Sequence, residues 1–64
     1  MSPSCVYYLG KLLDEAIQHG NKYYQCLALY AHVVYYYNHQ DEENTASWMD
    51  KLAETAIENK QYDL

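Results

Sequence analysis

Nineteen consecutive residues, Asn21 to His39, contain neither Gly nor Pro and read Asn-Lys-Tyr-Tyr-Gln-Cys-Leu-Ala-Leu-Tyr-Ala-His-Val-Val-Tyr-Tyr-Tyr-Asn-His. Nothing in that run interrupts a helix, and its apolar residues recur at helical spacing. Tyr23, Leu27, Tyr30, Val34 and Tyr37 follow one another at i, i+4, i+7 on one stripe, with Cys26, Leu29, Val33 and Tyr36 on a second stripe beside it. A one-sided surface helix shows an apolar arc of about 100°. This helix is apolar over a far wider arc, so it needs neighbours on two sides.

The flanking segments supply them. Ser2 can cap a first helix, and Pro3 suits its first position, where a missing N–H costs nothing. That helix runs to His19 and stops at Gly20. Its inward stripe is Leu9, Leu12, Leu13, Ala16 and Ile17, extended by Cys5 and Val6, while Asp14, Glu15 and Gln18 mark the wet side. Gly10 is either a local weakness or a point of close helix approach. The turn at Gly20-Asn21 is so short that it favours an antiparallel pair, and Asn21 can cap the central helix. Asp41, in preference to Asn44, caps a third helix, whose first turn gains from the negative charge of Glu42 and Glu43. Thr45, Met49, Leu52, Ala53, Ala56 and Ile57 face inward from it, and residues 61–64 form a frayed tail. The expected architecture is all-α, a three-helix antiparallel mini-bundle or helical-hairpin repeat. Its helices span about 3–19, 21–39 and 42–60 of a single domain covering residues 1–64.

A chain of 64 residues buries only about 60% of its unfolded surface. A monomer of this size is marginal, and folds this small usually rely on a disulfide, a metal or a partner. Half of the residues are apolar, enough for a core. Tyr occurs nine times, Trp once and Phe never. A Tyr ring can be buried at the edge of a core with its hydroxyl in water, and Tyr is also enriched at interfaces. The net charge of −5, with no Arg, argues against direct binding to nucleic-acid phosphates or to an anionic membrane. No apolar run approaches the roughly 20 residues of a membrane span. The N-terminus lacks the basic-then-apolar pattern of a signal peptide, so a cytoplasmic location is expected.

Spacing argues against built-in chemistry. In an antiparallel hairpin turning at Gly20, Cys5 and Cys26 are offset by roughly 13 Å along the helices, beyond the ~7 Å Cα limit for a disulfide. Both are expected to be free thiols. His32 and His39 are about 10.5 Å apart along one helix, too far to share a metal, and His19 sits near the other end. No His pair at i, i+4 and no Cys-x-x-Cys is present, so the three histidines read as surface side chains. Cys26 and His32 fall on different faces of one helix. Cys5, near a helix N-terminus, is the more reactive thiol, yet no loop is available to stabilise an oxyanion. No catalytic residue, cofactor, metal or small-molecule ligand is expected.

The outer helices match each other at an offset of 40 residues: Lys11-Leu12-Leu13-Asp14-Glu15-Ala16-Ile17 aligns with Lys51-Leu52-Ala53-Glu54-Thr55-Ala56-Ile57, Leu9 with Met49, and Tyr8 with Trp48. Paired helices repeating every 34 to 47 residues or so mark an α-solenoid. Over residues 23–60 the sequence resembles the tetratricopeptide-type helical repeats, and its longer period is similar to that of bacterial peptide-sensing regulators. With Leu52 on that family's small position, Tyr36 falls on its aromatic position, Val33 on its Gly and Met49 on its large apolar position. Leu29, His32 and Thr45 depart from the usual Trp, Leu and Ala. The resemblance implies that Leu27, Tyr30, Val34 and Tyr37 line a concave, peptide-binding side. It also implies two open ends that call for a partner, since such arrays need about three repeats for stability.

If the third helix covers the Tyr23–Tyr37 stripe and the first covers the Cys26–Tyr36 stripe, the strip Tyr24, Ala28, Ala31 and Tyr35 is left for a partner. Tyr30 and Tyr37 join it as rings that three helices are too few to cover. The expected function is a small regulatory protein–protein interaction module that self-associates as a homodimer or docks on another helical protein. The alternative is an acidic inhibitor or nucleic-acid mimic, using Asp41, Glu42, Glu43, Asp50, Glu54 and Glu58 against a basic protein.

Overall fold

Two short turns, nearly identical in chemistry, organise the chain into three helices. A computed structural model describes residues 5–60, which form α1 (Cys5–Gln18), α2 (Lys22–Asn38) and α3 (Glu42–Lys60). The expected Ser2–Pro3 helix start and the tail at 61–64 lie outside the described residues. The all-α, three-helix reading holds, with the helix boundaries close to those expected.

In the first turn Gly20 takes φ +65°, its N–H donates to the Ile17 carbonyl, and the Asn21 N–H donates to the Ala16 carbonyl, each at 3.0 Å. These two bonds make a Schellman motif, which satisfies carbonyls that the helix end would leave orphaned. The second turn repeats it twenty residues later. Gln40 takes φ 59°, and the N–H groups of Gln40 and Asp41 donate to Tyr37 and Tyr36 at 3.0 Å. In both turns the residue that closes the motif also caps the next helix. The side-chain oxygen of Asn21 accepts from the Tyr24 N–H, and that of Asp41 from the Asn44 N–H, both at 3.1 Å. Links this short fold each helix back against its predecessor.

The helices lie side by side, with α2 in the middle. No Cα of α1 comes within 8 Å of a Cα of α3, and the Cα trace is only 11 Å deep along its shortest axis. Packed helix axes stand about 8–10 Å apart, so that depth accommodates a shallowly folded single layer and not two stacked ones. Each outer helix therefore meets one neighbour, and only a narrow stripe of each is covered.

The consequence is a thin core. Among the described residues Ala16, Ala28, Leu29, His32 and Thr55 are buried. Val6, Leu9 and Leu13 of α1 and Thr45, Trp48 and Leu52 of α3 are half-buried. Seven expected inward positions are instead exposed: Cys5, Leu12 and Ile17 on α1, and Met49, Ala53, Ala56 and Ile57 on α3. They sit at the edges of wide apolar arcs, of which a single neighbour covers only the middle. Burying a large aliphatic side chain is worth about 1.5–3 kcal/mol, and Leu29 is the sole large aliphatic buried among the described residues.

Candidate interaction surface

The central helix carries no formally charged side chain after Lys22, so formal charge does not distinguish its two sides. On the covered side lie Ala28, Leu29 and His32, with Gln25, Cys26, Ala31, Val33, Tyr35 and Tyr36 half-buried around them. The indole of Trp48 on α3 closes this side. It stacks on the His32 ring with centroids 3.9 Å apart and lies nearly parallel to Tyr36 at 6.4 Å. Thus α3 covers the Leu29–His32–Tyr36 side, not the Tyr23–Tyr37 stripe.

That stripe is the open side of α2. Tyr23, Leu27, Tyr30, Val34 and Tyr37 are all exposed, from 38% at Val34 to 71% at Tyr37. They extend for about 21 Å, given a helical rise of about 1.5 Å per residue. Edge-to-face packing against Tyr24, with centroids 5.4 Å apart, steadies the Tyr23 ring. At the other end Tyr37 borders a shallow hollow shared with Thr45, Ala46 and Met49. The ends of the stripe differ in charge. Lys22 lies at one end, its ammonium 3.7 Å from the Glu58 carboxylate. Just past the other end come Asp41, Glu42 and Glu43, and hydrogen bonds from the Asn44 side chain and backbone hold the Asp41 carboxyl below its ordinary pKa.

The strip expected to face a partner is divided by the structure. Tyr24 is exposed, but Ala28 is 0% exposed, and Ala31 and Tyr35 are half-buried. The small side chains at 28 and 31 do admit a close approach, and the covering elements belong to the same chain. Tyr30 and Tyr37 are exposed as expected, on the opposite side from Ala28. His32, read from its spacing as a surface residue, is only 2% exposed. Its Nδ1 donates to the Ala28 carbonyl at 2.7 Å, which satisfies a polar atom that burial would otherwise penalise.

Both cysteines are free thiols, Cys5 exposed and Cys26 half-buried. Among the described residues no group of three His, Cys, Asp or Glu side chains is placed to hold a metal ion. No helix among them is long and apolar enough to cross a membrane. Compared with protein-family models, curated proteins and solved structures, the chain matches none of them.

Proposed function

We propose that the chain is a small regulatory protein–protein interaction module whose binding face is the α2 stripe of Tyr23, Leu27, Tyr30, Val34 and Tyr37. One observation carries this reading. The longest row of apolar side chains on α2 faces solvent while a buried His occupies the core side. The largest exposed apolar patch on a monomer is often a functional one, and Tyr is favoured at interfaces for its large, stiff ring and polar tip. The two matched helix–turn units, twenty residues apart, fit a helical-repeat module that presents one face to a partner. The acidic-mimic reading has less support, because Glu58 is engaged with Lys22 and the stripe itself is uncharged.

The test is capture of binding partners from a cell extract by the wild type and by a Tyr23→Ser/Tyr30→Ser variant, at low and at high salt. Both substituted rings are exposed, so the helical circular dichroism signal should be retained. Loss of the captured species in the variant, with little salt dependence in the wild type, supports the apolar face. Capture that is unchanged in the variant and falls steeply with salt would transfer the function to the carboxylates.

A further inference from the structure

We infer that the α2 stripe takes a second copy of itself, with the two central helices packed antiparallel about a two-fold axis near Tyr30. This rests on the stripe being the binding face. Its residues are spaced 4, 3, 4, 3, the seam of a coiled coil, with Leu27 and Val34 at one class of position and Tyr23, Tyr30 and Tyr37 at the other. About an axis at Tyr30, an antiparallel pair sets Leu27 near Val34 and Tyr23 opposite Tyr37 of the other copy, with the two Tyr30 rings meeting at the axis. The stripe also reads almost the same in both directions from Tyr30: aliphatic, then Tyr. An isologous interface requires that kind of self-complementarity.

Charge points the same way. The chain carries −5, yet from Tyr23 to Asn38 the α2 surface carries no formal charge. Two copies can meet there without opposing their carboxylates. Antiparallel packing brings Lys22 of each copy toward the Asp41–Glu43 end of the other, whereas parallel packing brings two acidic ends together. The area sets the strength. An aromatic side chain offers about 150–250 Å², so three rings 57–71% exposed supply roughly 300–500 Å². With Leu27 and Val34 each copy contributes on the order of 400–600 Å², which puts the pair at the low end of specific interfaces. The dimer is therefore weak and reversible.

Sedimentation equilibrium on the full chain, from about 1 µM to 1 mM, spans the range where such an interface titrates. The expected result is a reversible monomer–dimer equilibrium. Tyr30→Glu and Tyr30→Lys should each weaken it by more than about tenfold, and an equimolar mixture should recover a heterodimer because the two charges meet across the axis. Tyr30 is exposed, so circular dichroism should show both variants folded. A wild type that stays monomeric, a dimer indifferent to both substitutions, or a mixture without recovery overturns the inference. Spin labels at Asn38→Cys in a Cys5→Ser/Cys26→Ser background report orientation. They should stand about 25 Å apart in the antiparallel dimer, and a separation near 10 Å overturns that arrangement. A monomeric wild type whose capture of another protein is still abolished by Tyr23→Ser/Tyr30→Ser would sink the second-copy inference and leave the interaction face standing.

Discussion

The imidazole of His32 lies against the indole of Trp48, with ring centroids 3.9 Å apart and planes 17° from parallel, while its Nδ1 donates to the Ala28 carbonyl at 2.7 Å. The stack joins the middle of α2 to α3 over the most deeply buried polar side chain among the described residues. The hydrogen bond fixes the ring to its own helix, and the indole takes the place of water on the ring face. The Lys51 ammonium stands 5.6 Å from the Trp48 ring centre and adds a cation–π contact at the solvent edge.

Trp48→Ala should therefore be the most damaging single substitution on α3. Aromatic-to-Ala changes in cores cost about 3–5 kcal/mol, and half-burial places Trp48 at the lower end of that range. A domain of this length has roughly 3–10 kcal/mol in all. Urea denaturation followed by circular dichroism should show the variant largely unfolded in buffer or with its midpoint strongly reduced. A loss below about 1 kcal/mol would mean that the stack is not structural.

Ala28→Leu and Tyr30→Ser probe opposite sides of the same helix. Ala28 is fully enclosed, so three added carbon atoms overpack it at a cost of about 1–3 kcal/mol. Tyr30 points to solvent, and its loss should change the stability of the dilute monomer by no more than about 0.5 kcal/mol. Thermal melts at low concentration separate the two. A larger loss at Tyr30 than at Ala28 would show that the covered and open sides of α2 have been exchanged.

That distinction was hard to read from the sequence for a physical reason. The stops and caps were legible, because Gly20 admits positive φ and because Asn21 and Asp41 present short acceptors to free N–H groups. The choice of side on α2 was not, since an arc apolar nearly all round has no polar edge to orient it. Ala28 and Ala31 resembled an outer groove because small residues permit close packing without saying by what. His32 counted as polar and was assigned to the surface. Its burial depends on Trp48, sixteen positions away and joined to it only through the fold. On α3 the covered row is Thr45, Trp48, Leu52 and Thr55; Thr45 and Leu52 read as inward, but the polar Thr55 was passed over and apolar counting added Met49 and Ile57, which are exposed.

The acid limb of the stability curve should report Asp41. Hydrogen bonds from Asn44 lower its pKa from the ordinary 3.8. A carboxyl whose folded pKa is depressed contributes stability that is fully present above its unfolded value. That contribution is lost as the pH falls through the lower, folded value. Asp41→Asn keeps a cap of comparable quality without the charge, so its melting temperature should fall less than that of the wild type on acidification from about pH 6 to pH 2. Asp41→Ala should be less stable than the wild type at neutral pH. Parallel acid limbs in the wild type and Asp41→Asn would assign the acid sensitivity to other carboxylates.

The two turns predict effects of opposite sign from exchanging their left-handed residues. Gly20 and Gln40 occupy the same place in the same motif, at φ 65° and 59°. A side chain in that region costs about 1–2 kcal/mol, because its Cβ crowds the following carbonyl oxygen. Gln40 bears that strain already and Gly20 does not. A Cβ at Gly20 would meet no atom within 4 Å, so only the backbone conformation opposes it. Gly20→Ala should therefore destabilise by about 1 kcal/mol, and Gln40→Gly should stabilise by a similar or smaller amount, reduced by the extra freedom that Gly gives the unfolded chain. Chemical denaturation of both variants gives the two signs directly. If Gln40→Gly is destabilising, the Gln40 side chain contributes more than its backbone strain costs.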